Sequence, residues 1–178
     1  MGSMADLITH SCAALLWKAA TCRAVPRVAG QNAWPLPPTV ATFVLGTCLP
    51  DLFGRVPSMA LTTLRWTVPL IPEWTIYVWG PLHMPFGILV MSVLVSQLFG
   101  DGTRRTAAMQ LTAGGMLHMA VDLLQSHLGA GYLLLFPFSM WDFELGLIGS
   151  EDTVRIVPVL LPLTIAVCAW RWRSIRPD

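Results

Sequence analysis

Residues 153–172 read TVRIVPVLLPLTIAVCAWRW, an apolar run long enough to cross a bilayer and closed by Arg171, Arg173 and Arg176. Working back along the chain, Pro81 to Phe99 (PLHMPFGILVMSVLVSQLF) carries no lysine, arginine or carboxylate and stops at Gly100-Asp101-Gly102, ahead of Arg104 and Arg105. Between these two runs, residues 106–125 (TAAMQLTAGGMLHMAVDLLQ) are less apolar, but Ala113, Gly114 and Gly115 suit close helix packing inside a membrane. Residues 5–24 and 38–53 are read as two further helices, joined by the proline-rich Trp34-Pro-Leu-Pro-Pro segment as a turn or extended linker. The expected fold class is all-α: a polytopic membrane helix bundle of about five transmembrane helices plus interfacial segments. Residues 54–80, with Trp66, Trp74, Tyr77 and Trp79 among scattered prolines, and residues 128–150 are the segments expected at the water interface.

Composition excludes the main competitors. The 178 residues are 54% hydrophobic and 12% charged, with a formal net charge of +1, and the mean hydropathy is +0.62. Disorder requires low hydrophobicity and high charge, and a nucleic-acid binder requires a basic surface, so neither class fits. Met1-Gly2-Ser3-Met4 reads as a cloning remnant (residues 1–4) before one integral membrane domain over residues 5–178, and no signal peptide is expected because the first apolar run carries His10 and Lys18. Cys12, Cys22, Cys48 and Cys168 form no metal-type spacing and are read as buried thiols.

Loop charges orient the expected bundle. Lys18, Arg23 and Arg27 at the first connection, Arg104 and Arg105 at the third, and the arginines of 171–176 at the end place these regions in the cytoplasm, with the N-terminus outside. Arg55 and Arg65, at the second connection, dissent. The fourth connection holds Asp142, Glu144, Glu151 and Asp152, read as a solvated acidic loop.

That orientation gathers the chemistry at the extracytoplasmic edge. His10 lies early in the first helix, His83 opens the third, His118 is late in the fourth and His127 follows it, while Asp51 ends the second in Gly46-Thr-Cys-Leu-Pro-Asp51. In His118-Met-Ala-Val-Asp122 the i,i+4 spacing sets imidazole and carboxylate on one helix face, and Asp6 and His10 repeat the spacing. Ionisable groups in membrane helices are costly, so their convergence from four helices points to a functional site. Imidazole with carboxylate and no thiolate motif favours zinc, with manganese or iron as alternatives, in one or two ions. His127 lies nine residues past His118, on the opposite face of a continuing helix, so it joins the site only if the chain turns near Ser126 to Gly129.

The phrases Thr9-His10-Ser11, Gly46-x-x-Leu-Pro-Asp51, His83 opening a span, and Leu117-His118-x-x-x-Asp122 followed by Gly129 and Phe136-Pro-Phe-Ser139 together resemble the predicted membrane-bound metal-dependent hydrolases, a bacterial family, over residues 8 to 140. The resemblance implies metal ligation by His10, Asp51, His83, His118 and Asp122. Many members of that family carry Arg-Gly before a Thr-His-Ser at the third helix, whereas this chain reads Gly80-Pro-Leu-His83-Met-Pro, without the arginine and the hydroxyls, so the resemblance carries over the histidine as a ligand but not the family's substrate contacts. The expected function is hydrolysis of an ester or phosphoester, most naturally of a lipid, at the extracytoplasmic edge of a bacterial inner membrane. Asp51, Asp122 and His127 are the candidate catalytic bases. The competing reading is a non-catalytic metal- or haem-binding membrane protein serving transport, electron transfer or assembly, with Met84, Met116 or Met119 as further axial candidates for haem.

Overall fold

The computed structural model describes residues 3–21, 38–68, 70–72, 75, 78–126, 131–149 and 152–175. His127, and with it Cys22, Trp74, Tyr77 and Glu151, lies outside the described residues. The chain is mostly helical and all-α in class. Its elements are α1 (Ser3–Thr21), α2 (Pro38–Pro50), a π-helical turn (Asp51–Arg55), α3 (Val56–Thr67), a 3-10 turn (Gly80–His83), α4 (Pro85–Ser96), α5 (Asp101–Leu123), the two-residue strands β1 (Gln125–Ser126) and β2 (Ile148–Gly149), and α6 (Thr153–Ile175).

One of these boundaries corrects the sequence reading. The second helix does not end near residue 53: it passes through Pro50 into the π-helical turn and continues as α3. Pro50 lacks an N–H, so the helical ladder must lose a bond there, and a widened turn is one way to carry the chain past that gap. The stretch after residue 54, expected at the water interface, is helical as far as Thr67 and buries no side chain. The cysteine expectation holds for Cys12, which is buried, while Cys48 and Cys168 are only half-buried.

Among the described helices, α2 and α5 form the central pair; α4 packs on α5, α1 on α2, and α6 on α1. Glycine makes the central pair close. A Cβ on Gly46 would collide with the backbone carbonyl of Leu111, and one on Gly114 with the carbonyl of Phe43 and, at 2.9 Å, the amide nitrogen of Thr47. Backbone-to-backbone approach of this kind is how small residues hold helices together where little hydrophobic driving force exists between them. Antiparallel α1 and α5 share a register fixed at two points eight residues apart on each helix: His10 stacks on His118 at 3.8 Å between ring centroids, and Lys18 donates to Gln110 at 2.7 Å.

After α5 the chain does not simply leave the bundle. Residues 131–149 double back, with Tyr132 and Phe143 bridged antiparallel, and Leu145 and Leu147 donate their amides to the carbonyls of Leu123 and Leu124 at 2.7 and 2.8 Å. Those carbonyls belong to the last turn of α5, which has no intrahelical donors of its own. The return segment thus caps α5 and carries Tyr132 over its end. One helix among the described residues, Thr153–Arg171, is long and apolar enough to cross a membrane, and Pro85–Ser96 is apolar but shorter.

Candidate metal centre

Four elements deliver the site to the end of the bundle where α2 and α5 finish. His118 and Asp122 stand one turn apart on α5; His10 comes from α1, Asp51 from the start of the π-helical turn, and His83 from the end of the 3-10 turn. The 3-10 turn is pressed against both neighbours. A Cβ on Gly87 would overlap the Pro81 carbonyl, and one on Gly54 would meet the His83 side chain at 3.2 Å. His83 is therefore held between the start of α4 and the π-helical turn.

Asp122 is the hub. Its Oδ1 lies 2.9 Å from His10 Nε2, and its Oδ2 lies 2.8 Å from His83 Nε2, 3.1 Å from His118 Nε2 and 2.9 Å from the phenol of Tyr132, which donates to it. The rings stack as well: His83 meets His118 edge-on at 4.9 Å and Tyr132 face-on at 5.6 Å. His10, His118 and Asp122 are almost fully buried, and the His83 side chain is 11% exposed. Burial, and after it the nearby Asp122 carboxylate, pushes the Tyr132 phenol far above its ordinary range, so it stays a donor.

Asp51 sits beside this hub without joining its hydrogen bonds. It is 5% exposed, and neither carboxylate oxygen has a hydrogen-bond partner. His118 Nε2 lies 3.9 Å and Arg55 Nη1 4.0 Å from its Oδ1. A buried carboxylate with no donor costs several kcal/mol unless a charge or ligand compensates it.

The donor set fits a metal ion. His10, His118 and Asp122 form one group, and Asp51, His83 and His118 a second, each offering ligand atoms within 4.8 Å of one another. His83 Nε2 and His118 Nε2 are 3.1 Å apart. Two nitrogens bound to one tetrahedral ion at about 2.0–2.1 Å would be separated by roughly 3.3 Å, close to that spacing. The three imidazoles and two carboxylates can hold a metal ion; all five residues expected from the sequence as ligands are brought together.

The structure adds two residues that the sequence reading did not place in the site, Tyr132 and Arg55. Tyr132 had a signal: it is one of two tyrosines in a chain whose other aromatics are phenylalanine and tryptophan, and a phenol near a buried carboxylate usually finds it. Arg55 had one too, as one of the two charges, with Arg65, that dissent from the expected orientation; its i,i+4 position to Asp51 gives that charge a local partner. Asp122 does not pair with Arg104, whose partner is Asp101 at 2.9 Å. Of the acidic loop, Asp142 is exposed and accepts from the Gly131 amide at 3.3 Å, while Asp152 pairs with Arg155 at 3.0 Å. No family model, curated protein or solved structure matches this chain.

Proposed function

We propose that this protein is an integral membrane metal-dependent hydrolase that cleaves an ester or phosphoester, of a lipid, at the extracytoplasmic edge of a bacterial inner membrane. The observation that carries the reading is the meeting of His10, His83 and His118 on Asp122 from separate elements, with an unbonded Asp51 alongside. The family resemblance described above supports it with the same five residues.

The membrane placement draws support from exposure. Only 11% of the apolar window in α6 is buried inside the protein, and α6 turns Val159, Leu163, Ile165 and Trp170 outward, as α4 does Leu89, Val93 and Leu94. An apolar helix at the core of a soluble protein would bury most of such a window, whereas a lipid-facing helix leaves it uncovered.

A divalent cation, zinc first with manganese or iron as alternatives, supplies Lewis acidity that eases ionisation of water and polarises the ester oxygen. His10, His83, His118 and Asp122 are the groups to hold it. Tyr132 donates to Asp122 and orients that carboxylate. With its oxygens unclaimed, Asp51 is the better placed of the two carboxylates to take a proton from the attacking water, because Asp122 already meets three imidazoles and a phenol. The site lies at a bundle end, so a lipid can keep its acyl chains in the bilayer while its polar bond reaches Asp51. A haem is disfavoured by the stacked His10 and His118 rings, which cannot take opposite faces of a porphyrin.

The decisive experiment is the metal content of detergent-purified protein, wild type beside His118→Ala, by mass spectrometry of the elements. About one or two equivalents in the wild type, lost in the variant, and hydrolysis of a lipid ester or phosphoester by the loaded protein support the reading. Wild-type protein that takes up no ion after reconstitution overturns it.

A further inference from the structure

We infer that the groove between α1 and α6 seats one acyl chain of the lipid. The inference rests on the reading of the neighbouring cluster as a lipid hydrolase site and names the part of the substrate that is held beside it.

Shape comes first. Leu7, Ile8 and Leu15 of α1 face Leu161 and Ile165 of α6 across a cavity of about 440 Å³. On α1 the lining runs from Leu7 to Leu15, which is about 12 Å of helix. A helical segment of that length, about 10 Å across with its side chains, fills roughly 900 Å³, so the groove is too small to take a helix of another chain. It has the size of a small-molecule site, about 300–1,000 Å³.

Chemistry comes second. No charged residue lines the groove, and its polar groups are Ser11, Thr164 and the thiols of Cys12 and Cys168. Thr164 is 2% exposed and donates to the Leu160 carbonyl of its own helix at 2.8 Å. Ser11 Oγ lies 3.8 Å from Cys48 Sγ, and Cys12 is 2% exposed. The hydroxyls are thus engaged within the protein, and the walls offer a ligand contact rather than hydrogen bonds. A head group or a peptide placed there would leave its polar atoms unmet. A hydrocarbon chain has none to leave, and it gains close packing on both sides.

Position comes third. Leu161 and Ile165 are 41% and 60% exposed, so the groove opens sideways, on the surface that the proposed function turns to lipid. On its other side Ser11 follows His10 on α1, and its partner Cys48 stands three residues before Asp51. The groove therefore leads from the lipid-facing surface to the flank of the metal centre. A chain seated in it fixes where the attached polar bond lies, which is the ordering that a reaction at a fixed site needs.

The test reconstitutes the full chain in phosphatidylcholine vesicles carrying a trace of the same lipid with a photoactivatable diazirine near the methyl end of one acyl chain. Labelled positions are mapped by mass spectrometry of peptides, and metal content is read on the same samples. Label is expected on Leu7, Ile8 and Leu15 well above that on Leu89 and Val93, which are exposed on α4. Leu161→Trp puts an indole into the groove and should cut the α1 label at least about 5-fold, as overpacking does, while α4 keeps its label. Leu163→Trp, exposed on the same helix but outside the groove lining, should change neither. Equal label on α1 and α4, or an α1 label indifferent to Leu161→Trp, marks ordinary boundary lipid and overturns the inference. An α1 label below that of α4 means that a second copy covers the groove, which overturns it as well. Should Leu161→Trp fail to fold, Ile165→Trp decides in its place. Cation-loaded protein without the excess label defeats this inference alone and leaves the metal reading standing. Protein that labels in the groove yet takes up no cation supports the chain site and sinks the hydrolase reading.

Discussion

His83 and His118 hold their Nε2 atoms 3.1 Å apart beside one carboxylate oxygen of Asp122. Two N–H groups so close would face each other and two bare nitrogens would oppose their lone pairs, so without a cation one ring donates and the other accepts. With a cation among them, every group could instead present a lone pair to the same positive centre. The buried cluster has the donor atoms of a ligand set as well as those of a hydrogen-bond network.

Asp122→Asn should therefore empty the site without collapsing the bundle. The amide keeps the shape of the carboxylate but loses its charge, and with it the hub that three imidazoles share. Metal content per chain is expected to fall at least about 10-fold while far-ultraviolet circular dichroism keeps its helical signal. Retention of full metal occupancy would show that Asp122 is not a ligand.

Tyr132→Phe removes one donor from Asp122 at almost constant volume, and its effect should depend on pH. The folded state holds the phenol well above its ordinary value of about 10, through burial and then Asp122. A raised folded value means the unfolded chain ionises first, so Tyr132's stabilisation is complete below about pH 10 and is lost as the pH rises past it. Wild-type stability should drop by up to about 1.4 kcal/mol per pH unit more steeply than that of Tyr132→Phe above this point, seen by thermal unfolding at a series of pH values. Parallel pH curves for the two proteins would contradict the buried phenol.

Gly46→Val tests the close approach of α2 and α5. Any Cβ at Gly46 meets the backbone of Leu111, which cannot swing away as a side chain would, so the helices must separate. The expected cost is about 1–3 kcal/mol, read as a lowered unfolding midpoint in sodium dodecyl sulfate. Gly54→Ala is the contrast: its Cβ would meet the His83 side chain at 3.2 Å, so it should disturb metal binding more than bundle stability.

Much of this site was legible because its ligands obey short-range spacing. His118 and Asp122 share a helix face by arithmetic alone, and His10, Asp51 and His83 fall at the ends of apolar runs that a bundle must bring to one side. What escaped depended on contacts between distant segments. Nothing local says that residues 131–149 double back to cap α5 and set Tyr132 on Asp122, because the bond between them is made in three dimensions. Pro50 misled for a different reason. It reads as a terminator, yet the chain absorbs it in a widened turn that continues into α3, and that turn is what places Asp51 and Arg55 one above the other.

Leu163→Lys separates the two environments that α6 can occupy. Leu163 lies near the middle of Thr153–Arg171 and is 52% exposed. In a bilayer, lysine at the centre of a spanning helix costs about 2.5–3.5 kcal/mol, so the fraction of full-length chain resisting alkaline carbonate extraction should fall severalfold. In water the sign reverses: trading an exposed leucine for lysine leaves a soluble protein as stable and more soluble. A variant recovered in the soluble fraction at undiminished yield would remove α6 from the membrane, and with it the proposed route by which a lipid's polar bond reaches Asp51.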